Sequence, residues 1–121
     1  MSMVTVVRGA VVARDNTKEA ILEATRELLE KLIASNDLTE NNVAAMFFTS
    51  TVDLTAEFPA LALRKMDWWN VPALCAQELD IENSMERVIR TMVFINRPQP
   101  FTPKHEYVGK AAELRPDRVG D

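Results

Sequence analysis

Four arginines lie in four separate segments of this chain, each in or beside an apolar stretch: Arg8, Arg64, Arg90 and Arg115. Arginine is rarely buried without a partner, because its guanidinium is permanently charged. The planar set of N–H donors on that group matches a carboxylate in a two-point contact. The pattern therefore predicts a pocket that collects arginines around a small polyanion.

A thiol and a carboxylate, Cys75 and Glu78, lie together on a fifth segment, residues 71–78. A lone cysteine is more often a small core hydrophobe, and a lone glutamate is usually exposed. No histidine lies near Cys75 in the sequence to activate it, so covalent catalysis by this thiol is not expected. Glu78 becomes a candidate site residue because arginines accompany it.

Arg90 lies inside an apolar segment that reads as a strand. Strand alternation places it on one face with Val88, Met92 and Phe94, and a charge on such a face needs a partner. We therefore interpret Arg90 as a functional residue rather than as an edge residue that points into solvent.

His105 and Tyr107 are two further side chains whose types suit chemistry. Histidine is a common acid–base catalyst near neutral pH, but His105 lies in a charged stretch flanked by prolines and is interpreted as a loop residue. The phenol of Tyr107 can reach a ligand carboxylate, although a single tyrosine more often packs with its hydroxyl satisfied. The chain thus offers little acid–base machinery and much positive charge. Such a set suits an enzyme that acts by shape and electrostatics, or a simple anion-binding module.

Composition argues against several classes of protein. The chain has 121 residues, 47% hydrophobic and 26% charged, which predicts one globular domain over residues 1–121. Its net charge of −4 argues against binding nucleic acid or an anionic membrane. No apolar run approaches the roughly 18 residues of a membrane helix. The N-terminal residues lack a secretory pattern, so we expect the cytoplasm.

No metal or cofactor site is expected from the residue types. One cysteine and one histidine leave no zinc constellation. The acidic residues do not cluster in a pattern that favours a divalent ion. The three glycines form no phosphate-binding loop.

Hydrophobic periodicity predicts alternating strands and helices. A helix is predicted over residues 17–34, with Asn16 as its N-cap and Glu19 completing a capping box. A short helix is predicted from Phe58, with Pro59 at its first position. Strands are predicted over residues 3–7, 43–50, 71–79 and 88–96, and residues 104–114 are expected to begin as a strand and end as a short helix. Pro72 places the third of these strands at an edge or at a strand start.

This order predicts the α/β class (α+β-like), a single domain with helices on one face of a mixed sheet. Residues 43–50 are apolar almost throughout, which is typical of a strand covered on both faces. Few residues remain to cover the second face. Self-association around a symmetry axis is the natural solution.

Taken together, several short stretches resemble the small, trimeric, monofunctional α/β class of chorismate mutases. They run in the order of that family over almost the whole chain; each is weak alone, and together they are highly specific. The stretches are residues 7–10, residues 53–60, residues 71–78, Ile89-Arg90 with Met92, His105-Glu106-Tyr107, and residues 114–117.

The resemblance implies that chorismate is converted to prephenate, in the biosynthesis of phenylalanine and tyrosine, by a pericyclic rearrangement without a cofactor. It also implies a homotrimer shaped as a pseudo-α/β barrel, with active sites in the clefts between subunits. Residues 116–121 would be a flexible tail.

Roles carry over residue by residue. Arg90 matches the arginine that hydrogen-bonds the breaking ether oxygen and a substrate carboxylate. Arg8 matches the arginine that binds a carboxylate, and Tyr107 matches the tyrosine that helps to bind it. Glu78 and Cys75 match the pair at the ring hydroxyl. The remaining substrate-binding matches are the neighbouring subunit's wall (Phe58, Ala60, Ala73 and Leu74), the cationic entrance (Arg64 and Arg115) and Leu114 beside the tail.

The chain departs from that family at a few positions. Leu61 stands where lysine is frequent, Leu74 where threonine is common, and the loop after Arg64 is one residue shorter. These changes bear on affinity and entrance electrostatics more than on chemistry. Two alternatives are a non-catalytic trimer that binds an anionic metabolite and an imine deaminase on a similar trimeric fold. The Glu78–Arg90 pair and residues 114–117 favour the mutase.

Overall fold

Five strands, two α-helices and one 3₁₀ helix make up the fold of this protein, whose computed structural model describes residues 3–115. The strands form one mixed sheet in the order β3-β2-β4-β1-β5. The elements are β1 (Met3–Val12), α1 (Lys18–Asn36), β2 (Val43–Ser50), α2 (Leu61–Lys65), β3 (Ala73–Gln77), β4 (Val88–Arg97), β5 (Glu106–Tyr107) and the 3₁₀ helix Gly109–Leu114.

The sheet is built around β4, which pairs antiparallel with β1 on one side and with β2 on the other. β3 adds parallel to β2, and the two-residue β5 adds parallel to β1. β3 is an edge strand that starts directly after Pro72, as predicted, because proline has no N–H to give to a ladder.

β1 is longer than expected. The strand was predicted over residues 3–7, and its predicted end at Val7 was wrong. The register with β4 continues from Met3↔Arg97 to Val12↔Val88. Gly9 lies within the ladder, and α1 approaches it closely: a Cβ at this position would lie 2.8 Å from Leu28 Cδ1. Gly9 is thus the point where α1 rests directly on β1.

Helix α1 is capped one residue later than predicted. Thr17 has extended backbone, and its hydroxyl accepts a hydrogen bond from the N–H of Ala20 at 3.1 Å. The prediction of Asn16 as N-cap was wrong, because the side-chain Oδ1 of Asn16 instead accepts hydrogen bonds from the N–H groups of Thr55 and Ala56. The helix ends at Asp37, whose φ of 50° closes it in a left-handed cap.

Pro59 was predicted as the first residue of the second helix, and this too was wrong. The helix starts two residues later, at Leu61. Residues 58–60 form the turn before it, where Leu61 and Ala62 donate their N–H groups to the carbonyls of Phe58 and Pro59.

One face of the sheet, the inner face, packs on both helices and carries the core. The apolar stripe of α1 meets β1, β2 and β4 there, and Leu63 of α2 joins the same cluster. Its fully buried side chains include Ile21, Leu28, Leu29, Leu32, Val7, Met46 and Phe48. The single domain with helices on one face of a mixed sheet is therefore confirmed.

On the opposite face of the sheet, the outer face, Ala10 and Val88 are buried beside Ala111 of the 3₁₀ helix, whereas several other side chains are exposed in the single chain. One row across it consists of Leu74, Phe47, Met92 and Arg8, paired in register from β3 to β1. Leu74 is 64% exposed and Phe47 42%. That β2 is also covered on its outer face, by the other subunits of a homotrimer, stays a prediction. The tail predicted at residues 116–121 lies outside the described residues.

Candidate active site

Arg8 and Arg90 come together because β1 and β4 are adjacent. Arg8 pairs with Met92 and Arg90 with Ala10, so both guanidinium-bearing residues belong to the outer face. Tyr107 of β5 pairs with the same Ala10 on the other side. Residues from three segments that are distant in sequence therefore meet at one place.

These residues line a cavity of about 310 Å³ on the outer face, here called the arginine pocket. Its size suits a small ligand. Its lining consists of Arg8, Gly9, Phe47, Thr49, Arg90, Thr91, Met92, Tyr107 and Arg115. Three of the four predicted arginines thus share one pocket. Leu114 does not line it but, like Tyr107, packs against the small cluster of Ala10, Val88 and Ala111.

Glu78 fixes Arg90 from the next part of the sheet. Its Oε2 lies 3.3 Å from Arg90 Nε and accepts a hydrogen bond of 2.8 Å from the hydroxyl of Thr49. The Glu78 side chain is only 15% exposed, whereas that of Arg90 is 50% exposed. Glu78 is itself held by its N–H, which donates to the Ser50 carbonyl. A well-anchored carboxylate therefore orients a guanidinium whose remaining donors face the pocket.

Cys75 does not join Glu78. It pairs with the buried Phe48, so it belongs to the inner face, whereas Glu78 contacts Thr49 on the outer face. Cys75 lines a second cavity of about 320 Å³, the Phe58 pocket, with residues of the 50–59 segment. Within one chain the two residues that were expected at the same ring hydroxyl are separated by the sheet.

The thiol of Cys75 has the character of a neutral hydrogen-bonding group. Burial raises its pKa above the ordinary value, and a backbone hydrogen bond from Ala60 opposes that shift only in part. A raised thiol pKa means little thiolate near neutral pH, so nucleophilic reactivity is suppressed.

We therefore expect Cys75→Ser to keep most activity and Cys75→Ala to lose only a modest part, because a thiol is a weak hydrogen-bonding group. Steady-state kinetics of both variants measure this. Complete inactivation of wild type by an alkylating reagent, together with an inactive Cys75→Ser variant, would instead assign the thiol a covalent role.

The other predicted wall residues occupy separate positions. Phe58 is 69% exposed at the rim of the Phe58 pocket. Ala60 is the N-cap of α2, and Ala73 packs against the core. Arg64 does not line the arginine pocket of its own chain: its Nη1 donates to the Trp68 carbonyl at 2.7 Å.

His105, interpreted from the sequence as a loop residue, accepts a hydrogen bond from the Arg8 backbone N–H at its Nδ1. Two contributors to this site were not singled out from the sequence: Phe47 and Thr49 line the arginine pocket, and Thr49 also anchors Glu78. Alternation along residues 43–50 places Phe47 and Thr49 on one face. Only the register between β2 and β4 identifies that face as the one with Arg90.

Metal and membrane sites were searched for within residues 3–115. That range contains no group of three or more His, Cys, Asp or Glu side chains close enough to hold a metal ion. No helix in it has both the length and the apolar character to cross a bilayer.

Comparisons with known proteins agree on one family. Residues 4–118 match the family model described as chorismate mutase type I. The chain is 42% identical to chorismate mutase AroH of Thermus thermophilus, over 95% of this chain and 96% of that protein. It is 38% identical to chorismate mutase AroH of Bacillus subtilis (strain 168), over 95% and 92% respectively.

A solved structure extends the likeness to three dimensions. A chorismate mutase from Clostridium thermocellum superposes with a TM-score of 0.86 at 34% identity, covering 91% of this chain and 99% of that one. Both the sequence and the fold therefore agree over nearly the whole chain, and it belongs to the chorismate mutase type I family.

Proposed function

We propose that this chorismate mutase converts chorismate into prephenate by a concerted rearrangement in the arginine pocket, without a cofactor or a metal. The observation that carries the proposal is Arg90, a guanidinium held by Glu78 at 3.3 Å on the wall of a pocket that also contains Arg8 and Tyr107. Chorismate is a dicarboxylate, so such a pocket complements its charge.

The chemical step needs a fixed donor more than it needs a base. In this rearrangement the ether C–O bond breaks ahead of C–C bond formation, so negative charge grows on the ether oxygen. A preorganised hydrogen-bond donor at a growing negative charge is worth about 3–4 kcal/mol. Arg90 is the group that supplies it, because its orientation is set before the substrate arrives.

The second requirement is one compact conformer of a flexible substrate. Two-point contacts between arginine and carboxylate fix both the position and the orientation of the bound group. Arg8 holds one carboxylate in this scheme, with the phenol of Tyr107 beside it. The rearrangement is intramolecular, so holding the reactive conformer supplies only the conformational part of the entropic advantage of orientation. Together with the donor at Arg90 it contributes to the roughly 8 kcal/mol that a modest enzymatic acceleration requires, with no proton transfer.

Each active site is shared by two subunits of a homotrimer in this proposal. Phe58 and Cys75 line a different cavity from Arg90, and Cys75 lies on the opposite face of the sheet from Arg90. In this proposal Phe58 and Cys75 of the neighbouring chain contact the ring of the substrate. The exposed row of Leu74, Phe47 and Met92 supports this arrangement, since contiguous apolar surface marks an interaction site.

Incubation with chorismate tests the function directly. Loss of its diene absorbance, with prephenate identified by NMR, is the expected result. An anion-binding module would bind chorismate and leave it unchanged. An imine deaminase would release ammonia from an imine substrate and leave chorismate untouched. Either outcome would remove the proposal.

We expect kcat to be nearly constant from about pH 6 to pH 8.5, because no general acid or base takes part in the proposed step. Rates at saturating chorismate over this range measure it. A bell-shaped kcat profile whose acidic limb disappears in His105→Gln would contradict the mechanism.

The proposed role is in the biosynthesis of phenylalanine and tyrosine, in the cytoplasm. A reducing compartment suits the single free thiol of Cys75.

A further inference from the structure

The segment that brings Tyr107 to the arginine pocket is fastened to the end of α1. Asn36, only 3% exposed, donates its Nδ2 to the Lys104 carbonyl at 2.9 Å and accepts the Lys104 N–H at 2.8 Å. Glu106, two residues after Lys104, accepts a hydrogen bond of 2.7 Å at its Oε2 from the Ser35 hydroxyl. Residues 104–107 are therefore held by the helix.

His105 continues the attachment to β1 where the strand ladder stops. Residues 8 and 10 of a strand present their polar backbone groups to the same edge. At Ala10 this edge is occupied by backbone, because the Ala10 carbonyl accepts the Val108 N–H at 2.9 Å. At Arg8 the N–H donates instead to His105 Nδ1 at 3.0 Å. The imidazole thus takes the place of the backbone acceptor that the two-residue β5 is too short to provide.

We propose that His105 is a positioning residue for substrate binding, which acts through the backbone of Arg8. By fixing β1 at Arg8 to the segment that carries Tyr107, it sets the distance between the two groups that hold one substrate carboxylate. This inference rests on the proposed function, since it assigns His105 to the binding half of that site. Unlike Arg90, His105 touches neither the substrate nor the breaking bond.

The expected kinetic signature follows from this indirect role. Arg8 and Tyr107 hold the carboxylate both before and during the chemical step, so a small displacement of Arg8 weakens binding more than it slows the bound substrate: KM rises, and kcat falls less. Loss of the Arg90 donor has the opposite signature, because that interaction strengthens only in the transition state. The ratio of the two effects therefore separates positioning from catalysis.

Asparagine and glutamine form a matched pair of substitutions. The Oδ1 of asparagine occupies about the place of Nδ1 and keeps an acceptor for the Arg8 N–H, whereas the Oε1 of glutamine corresponds to Nε2. We expect His105→Gln and His105→Phe to raise KM for chorismate about tenfold with kcat changed less than about threefold. His105→Asn should keep KM within about threefold of wild type.

A double-mutant cycle completes the test. In an Arg8→Ala background, His105→Gln should raise KM no further, because the group it positions is gone. Three results would each overturn the inference. They are equal KM values in His105→Asn and His105→Gln, a tenfold rise in KM that persists without the Arg8 side chain, and a loss of activity confined to kcat. Circular dichroism identifies a variant that fails to fold. If His105→Phe fails to fold, the comparison of His105→Asn with His105→Gln still decides the question. Wild type that does not turn over chorismate would remove the proposed function itself.

Discussion

Replacing Arg90 by alanine should lower kcat/KM by about 10²- to 10³-fold, a loss of about 3–4 kcal/mol of transition-state stabilisation. In the proposed mechanism the guanidinium is the donor that meets the charge growing on the ether oxygen. Its removal leaves that charge without a partner in a pocket lined on one side by Phe47 and Met92. Most of the loss should appear in kcat, which single-turnover kinetics measure without interference from product release.

Lysine at position 90 provides the control. It keeps the positive charge but not the planar fork, so it should restore only part of the activity. The fold is not at stake in either variant, because the Arg90 side chain is half exposed. An Arg90→Ala enzyme with near-normal kcat would show that the chemistry occurs without this donor.

Replacing Glu78 by alanine should lower kcat about 10- to 100-fold, because a misplaced catalytic group costs rate even when it is still present. Glu78 is the carboxylate that holds Arg90 Nε, and Thr49 holds Glu78 in turn. The contact that Glu78 is proposed to make with the ring hydroxyl of the substrate would be lost as well. As a contribution to stability, a half-exposed ion pair gives only about 0–1 kcal/mol. The melting temperature should therefore change little while kcat falls.

Two matched variants separate charge from geometry at this position. Glu78→Gln keeps an oxygen that accepts from Arg90, so it should lose less than Glu78→Ala. Thr49→Val removes only the hydroxyl that anchors the carboxylate, and it should cost the least of the three. A fall in activity that follows loss of thermal stability across the series would instead assign Glu78 a structural role.

Much of the fold could be predicted from the sequence because its signals are local. The spacing of Leu28, Leu29 and Leu32 predicts α1, and Pro72 predicts the start of β3. The incorrect predictions have non-local causes. Asn16 is a good capping residue in isolation, but its side chain is taken by the 55–56 loop, a partner 39 residues away.

The site was only partly predictable, because strand register is not a local property. Arginine content identifies Arg8 and Arg90, but nothing in the sequence alone says which residues of β2 lie beside them. Phe47 and Thr49 become visible only when β2 is paired with β4. Side chains alternate between the two faces of a strand, and Cys75 and Glu78 are three positions apart on one segment. Their separation therefore follows once the buried face is known.

The shared active site is tested most directly by complementation between subunits. Arg90→Ala removes the catalytic half of a site, and Phe58→Asp removes the wall that a neighbour would supply. Phe58 is 69% exposed in its own chain, so the substitution is not expected to unfold it. The two inactive proteins are mixed in equal amounts and allowed to exchange subunits, with exchange followed by native mass spectrometry.

In a three-fold ring every mixed trimer contains one intact site, so an equal mixture should recover about a quarter of the wild-type activity. A mixture of Arg90→Ala with Arg8→Ala, both on the same half, should show no more than the average activity of the two separate proteins. Exchange confirmed by mass with no recovered activity in the Arg90→Ala and Phe58→Asp mixture would contradict the account, because it would mean that each site lies within one chain.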